Sequence, residues 1–443
     1  MTAFWAERAW IGDAVATGVR ITASADGLIS HVETDTTAKD ADERLAGVVL
    51  PGAINSHSHA FHRLLRGRTH GDDTDGGGSF WTWRELMYRE SARLDPVSYE
   101  RIATAVYAEM VAAGWTSVAE FHYVHHAPDA RPYDPPHAME RALARAARAT
   151  GIRLTLLDTC YLSSGFGSPL EPAQRRFGDA DAAAWLARLS SLRSQLAQEH
   201  PEVVVGAAVH SVRAVPVDAL ERIGAELDPG IPLHVHLSEQ PGENEACLAA
   251  TGLSPTALLA RSGLLSSRLS AVHATHLTDD DIAALGAAGV TIVMCPTTEA
   301  DLGDGVGPAR RLADAGARIA LGTDQHAVID PLLEARALEH GERLASGRRG
   351  RFSPAELVAA LTRGGSDAVG RPVGALAVGR PCDLIVVDAD SARTAGSDPG
   401  QLVLSATAQD VGRVIIGGRG RATAGAHTDL GPVGDLWRKA VLA

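Results

Sequence analysis

At 443 residues the chain is too long for one small domain and has the length of a large α/β barrel carrying a second, smaller module. Hydrophobic residues make up 45% of it and charged ones 21%, which excludes a disordered or membrane-embedded composition; no apolar run approaches the roughly 20 residues that span a bilayer. A formal charge of -13 speaks against a general nucleic-acid binder, which needs clustered positive charge to replace counterions, and requires any anionic substrate to be met by a local group of arginines.

The opening MTAFWAERAW lacks the basic start and apolar stretch of a signal peptide, so the chain is expected in the cytoplasm. Residues 1–50 read as short strands with polar turns: WAERAWIG, then GVRITASADGLISHVE, where Asp26-Gly27 signals a hairpin. Beyond them come eight apolar strand-like runs, at 52–58, 116–121, 152–158, 203–209, 231–237, 269–274, 290–295 and 318–323. Helical segments rich in Ala, Leu, Arg and Glu separate most of these runs, most clearly DAAAWLARLSSLRSQLAQEH (181–200) and PAELVAALTRGGSDAVG (354–370). The low-complexity patch DDTDGGGS (72–79) reads as a mobile loop. The chain then returns to strands in GALAVGRPCDLIVVDAD and DVGRVIIGGRGR.

Eight buried-type strands separated by helices predict a closed (β/α)8 TIM-like barrel over 51–376. The strand-rich ends, 1–50 and 377–443, predict one small β-sandwich domain built from both termini. A doubly wound open sheet is the competing architecture. Cys160, Cys247, Cys295 and Cys382 lie far apart without a CxxC pair and are expected to be reduced core thiols.

In such a barrel the chemistry sits where strands end, and this chain places polar residues there in order. His57 and His59 follow the first strand, His122 and Tyr123 the second, His210 and Arg213 the fourth, His236 and Glu239 the fifth. His273 follows the sixth with His276 beyond it, then Thr297, Thr298 and Glu299, and finally Asp324 and His326; the third strand offers little. Alternation along a strand turns His57 and His59 to one side, and with His236 and Asp324 they make three imidazoles and a carboxylate on one face. Such donors suit Zn2+, and Fe2+ or Mn2+ also accept them. Spacing alone does not separate His234 from His236 as the strand-five ligand. FHYVHH (121–126) is read as packed or solvated histidines rather than a second metal site, and Arg63, Arg66 and Arg68 as a solvated basic loop.

The ordered series, from HxH after strand one to Asp after strand eight, resembles the amidohydrolase superfamily, and HLSE resembles its single-metal deaminase branch. Within that branch the chain is most similar to the formimidoylglutamate deiminase family, along essentially its whole length. The resemblance rests on NSHSHAFHR, SFWTWRELMYR, EFHYVHH, VHSVRAVP, HVHLSEQ, VHATHLTDDD, CPTTEADLGDG and LGTDQH. It implies that His57, His59, His236 and Asp324 hold one zinc ion. Glu239, His273 and Asp324 would handle protons, with His273 rather than His276 as the match.

Carboxylate-binding roles fall by the same resemblance on Arg84, Tyr123, His210 and Arg213. His62 stands where many relatives have Gln, with a charge expected to depend on pH. The expected reaction is hydrolysis of N-formimidoyl-L-glutamate to N-formyl-L-glutamate and ammonia in histidine degradation, by a homodimer. Rival readings are the formimidoyl-aspartate analogue, deamination of a nucleobase, and a non-catalytic barrel scaffold. Paired arginines and only 5% aromatic residues favour an acidic substrate over a ring.

Overall fold

The structure is a computed structural model that describes residues 2–69 and 80–442. The DGGGS patch therefore lies outside the described residues.

Eight parallel strands run in sequence order around a barrel: β1 (Ala53–Ser58), β2 (Trp115–His122), β3 (Arg153–Cys160), β4 (Val204–Val209), β5 (Leu233–Leu237), β6 (Leu269–His273), β7 (Thr291–Met294) and β8 (Arg318–Leu321). Each falls at one of the eight apolar runs. Most of their residues are buried on both faces, as strands covered by helices outside and packed side chains inside must be.

The barrel closes at the candidate site itself. Just past β8, the Thr323 and Asp324 amides donate to the His57 carbonyl at 3.1 and 3.0 Å, and the His59 amide donates to the Asp324 carbonyl at 3.1 Å. This approach requires a glycine at 322, where an added Cβ would stand 2.8–2.9 Å from the Cβ, N and O of His57. Gly322→Ala is expected to cost about 1–3 kcal/mol of stability through overpacking, read as a lower denaturant midpoint. Because the displaced atoms belong to His57, metal uptake should weaken in parallel.

The second sheet draws on both ends of the chain. In spatial order it runs Gly431–Pro432, Ala426–His427, Arg419–Thr423, Val411–Ile416, Leu384–Val387, Glu43–Pro51, Thr2–Ile11, Ala14–Ala23 and Ile29–Glu33. The Asp26-Gly27 turn joins the last two as an antiparallel pair, with Gly27 at φ +81°. One face of this sheet closes over its own core of Phe4, Val19, Ile21, Leu45, Val49 and Leu384. Trp10, Val48, Leu50, Ile385 and Val414 on the other face join the barrel's core. Only Gly52 separates Glu43–Pro51 from β1, so the terminal sheet leads straight into the strand that carries His57.

The helix expected over 181–200 forms as Ala182–Glu199, capped by Asp181. The one expected over 354–370 ends at Leu361. Beyond it Gly364 and Gly365 pass so close to Ile319, Ile54 and Ser56 that the chain seals the barrel floor in tight turns instead of continuing the helix. A C-terminal helix, Val433–Leu442, was not expected. All four cysteines are buried and free. No helix among the described residues is long and apolar enough to cross a membrane.

Candidate metal centre and its cleft

The ends of β1, β5 and β8 bring His57, His59, His236 and Asp324 into one buried group. His59 donates Nδ1–H to the Phe121 carbonyl at 2.7 Å, and His236 donates Nδ1–H to the His210 carbonyl at 3.0 Å. A carbonyl can only accept, so these bonds fix the tautomers and leave both Nε2 atoms as bare lone pairs. Those two nitrogens stand 3.3 Å apart, and His236 Nε2 is 3.1 Å from His57 Nε2. Asp324 Oδ1 lies 3.3 Å from His57 Nε2 and 3.5 Å from His59 Nε2.

Burial first, and then the neighbouring imidazoles, push all three histidines well below the usual range, so they are neutral, and His59 and His236, with Nδ1–H committed to carbonyls, cannot donate from Nε2 to each other. Burial also raises the Asp324 carboxyl. Lone pairs converging at this spacing need a cation, and a tetrahedron with bonds of about 2.0–2.1 Å has edges of about 3.3–3.4 Å. The four donors fit a divalent metal such as zinc.

His234, the other histidine of HVH, donates Nε2–H to the Ala368 carbonyl at 2.8 Å and stands apart from this group. The rim is conformationally strained, since Ser238, His273, Ala274, Asp324 and His326 all adopt positive φ, a cost sustained only where surrounding structure enforces it. A buried network supplies that enforcement between β1 and β8. Asn55 Nδ2–H donates to Thr323 Oγ1, Thr323 Oγ1 meets His326 Nδ1, and Ser58 donates to Glu120 at 2.6 Å while meeting His326 Nε2 at 3.3 Å. Glu120 also accepts from the Ala60 amide at 2.6 Å, so this β2 carboxyl, not singled out in the sequence, braces both sides of His59.

Beside the metal group stands a second cluster of proton carriers. His273 Nε2 is 3.7 Å from Glu239 Oε1, and its Nδ1 is 3.4 Å from Glu299 Oε1. Burial opposes charge on His273, but Glu239, Glu299 and Asp324 together hold its pKa up at about 10. Burial, with Asp324 and Glu299 nearby, raises Glu239. Glu239 is not the cap of the following helix, a place taken by Gln240; its side chain keeps 18% exposure and lines the cleft. His276 turns away and donates Nε2–H to the Asp304 carbonyl at 2.9 Å.

The cleft over these groups is lined by His59, His236, Glu239, His273 and Asp324 together with His62, Arg84, Tyr123, His210 and Arg213. Every residue singled out for the site faces it except His57, which is fully buried beneath it. Among the described residues the Arg213 guanidinium has neither an ion pair nor a hydrogen bond. Arg84 donates Nε–H to Tyr88 at 2.7 Å.

His62 pairs with the Tyr123 hydroxyl at 2.8 Å, and burial pushes it down to about 3. It is therefore neutral throughout the physiological range, and its expected pH-dependent charge does not arise there. Sequence reasoning missed Tyr161, Tyr88 and Gln174; Tyr161 directly follows the supposedly uninformative third strand, and Tyr88 lies within SFWTWRELMYR.

Of two sequence readings outside the cleft, the structure changes one and keeps the other. Arg63 and Arg66 are not solvated: both pair with Glu109, at 3.1 and 2.8 Å, and Arg63 lies over the Trp437 ring at 4.3 Å. Arg68 is exposed. His122 and His125 of FHYVHH converge in the core with Glu140 of the helix Ala138–Thr150. The cationic position there is filled by Arg188, 3.1 Å from His125 Nδ1 and 3.6 Å from Glu140, which leaves these histidines packed.

A barrel of parallel strands with this donor group at its carboxyl rim defines a class of metal-dependent hydrolases, and the chain belongs to the amidohydrolase family, whose model matches residues 48–420. It is 41% identical over 409 residues to formimidoylglutamate deiminase from Pseudomonas aeruginosa, covering 90% of this chain and 87% of that protein. Against 8-oxoguanine deaminase from the same organism identity is 30%, over 86% of this chain and 84% of that one. An amidohydrolase from Brucella melitensis, known as a crystal structure, superposes with a TM-score of 0.91 at 33% identity and covers 99% of both chains.

Proposed function

We propose that the chain hydrolyses N-formimidoyl-L-glutamate to N-formyl-L-glutamate and ammonia, with one zinc ion held by His57, His59, His236 and Asp324. The observation that carries this reading is Arg213, whose guanidinium makes no ion pair or hydrogen bond among the described residues and which lines the same cleft as the metal donors and Glu239. A half-buried guanidinium with no hydrogen-bonded anion costs solvation unless a ligand's anion meets it, and Arg84 lines the same cleft. The 41% identity to a formimidoylglutamate deiminase supports the same assignment. A nucleobase would offer Arg213 no carboxylate.

Held by those four residues, the ion would supply Lewis acidity, which lowers the pKa of water toward neutrality. The remaining work belongs to side chains. Arg84 and Arg213, with Tyr123 and His210, bind the carboxylates and hold the formimidoyl carbon beside Asp324. Asp324 takes up the proton released by the attacking water, and His273, held cationic by the carboxylates around it, stabilises the negative charge that develops. Glu239, next to His273, delivers a proton to the terminal nitrogen as the tetrahedral carbon collapses, because an amide anion is a very poor leaving group. The C–N bond to that nitrogen breaks and ammonia departs. The four free thiols and the family resemblance support a cytoplasmic homodimer working in histidine degradation.

Ammonia release by zinc-loaded protein tests the reading, with N-formimidoyl-L-aspartate, guanine and cytosine as comparison substrates. The glutamate compound should be preferred; turnover of a ring compound alone would discard it. Arg213→Met should raise KM or lower kcat/KM by roughly tenfold to a hundredfold, the worth of a charge-assisted hydrogen bond. An unchanged kinetic profile would remove Arg213 from the substrate site.

A further inference from the structure

At one end of the cleft the side chains of Tyr88 and Tyr161 meet a fully buried amide. Gln174 Nε2 donates to the Tyr88 hydroxyl oxygen at 2.9 Å and to that of Tyr161 at 3.1 Å. The orientation of the amide is set from behind, because Gln174 Oε1 accepts from the Glu171 backbone amide at 2.9 Å. Flipped over, the amide would oppose one N–H with another. Tyr88 also accepts from Arg84 Nε at 2.7 Å, so both lone pairs of its oxygen are used.

Counting protons then decides what the cleft presents. Arg84 Nε–H and both Gln174 amide hydrogens already donate into the two phenolic oxygens, and neither hydroxyl has another acceptor among the described residues. If Tyr88 gives its proton to Tyr161, the proton of Tyr161 is left over; if not, both are. In either case at least one O–H points out of the network, and both tyrosines line the cleft. A site with surplus donors beside two guanidiniums requires a ligand that only accepts, which a carboxylate does and an amide or ring nitrogen bearing hydrogen does not.

We propose that Gln174 is a positioning residue that commits the tyrosine hydroxyl protons to the cleft and so makes this end of it selective for a carboxylate over its neutral isostere. The proposal deepens the functional reading above and rests on it for the identity of the natural ligand. It concerns a residue that touches no reacting atom and acts only through Tyr88 and Tyr161.

The test uses the metal-loaded, full-length protein titrated calorimetrically with glutarate and with glutaramide, its uncharged counterpart. Gln174→Leu should weaken glutarate by about tenfold or more, the usual worth of hydrogen bonds to a charged group, and move glutaramide by less than about twofold. Placed in a Tyr88→Phe/Tyr161→Phe background, the same change should alter glutarate affinity by less than about twofold, because the hydroxyls that carry its effect are gone. Unchanged glutarate affinity in Gln174→Leu, or an equal loss in the double-Phe background, overturns the proposal. If Gln174→Leu does not fold, Gln174→Asn, which withdraws the amide by one methylene, is read by the same criteria. Binding is measured without turnover, so glutarate behaving as expected in a protein that does not hydrolyse N-formimidoyl-L-glutamate disproves the reaction and leaves the role of Gln174 standing.

Discussion

Glu239→Gln is expected to keep its metal and lose kcat by roughly 10²–10⁴-fold, the range that general acid–base catalysis supplies. The two halves of this result have separate physical origins. Metal retention follows because Glu239 lies outside the group of four converging donors. Loss of turnover follows because Gln can hold a hydrogen bond in the same place but cannot release a proton to the departing nitrogen. Burial has already raised the Glu239 carboxyl, which brings its proton affinity closer to working pH and lets it carry the proton it must give more often than an exposed glutamate does. Metal per chain by atomic emission and kcat by ammonia release check the two halves independently. Near-normal turnover would sink the proton-delivery role, and lost metal would make Glu239 a structural support of the donor group.

How much of this was legible in the sequence depends on whether a residue's partner lies along the strand or across the fold. The eight barrel strands were readable because each is a short apolar run between helices, and the rim residues because they directly follow those runs. His57 and His59 could be paired from strand alternation alone. Their approach to Asp324 could not, because it depends on Gly322 letting two backbones nearly touch.

Arg63 and Arg66 were misread because Glu109 stands 46 and 43 residues away on a helix whose facing direction has no local signal. From sequence His62 reads as a titrating group, because sequence does not carry burial. Gln174 gave no signal at all: it sits in a short turn, Pro172–Phe177, with no periodicity, and its importance comes only from which atoms it touches.

The second large effect concerns the donor group itself. His236→Ala should drop the metal content well below one per chain and lower turnover by more than about 10³-fold, since without the ion a water's pKa returns toward ~15.7. Stability adds a test that activity alone lacks. In the metal-free wild type, the bare Nε2 lone pairs of His59 and His236 face each other 3.3 Å apart, an arrangement that repels; removing His236 relieves it, although the lost ring leaves a cavity that offsets part of the gain.

Metal binding reverses the balance, because a ligand held only by the native state stabilises it by about 4 kcal/mol at a thousand times its dissociation constant. Zinc added to chelator-treated wild type should therefore raise Tm clearly, and the same addition to His236→Ala should raise it little. A variant that loads metal and gains stability like the wild type would mean that another donor fills the corner. His234 would then be the first to examine, and it could serve only by giving up its hydrogen bond to the Ala368 carbonyl.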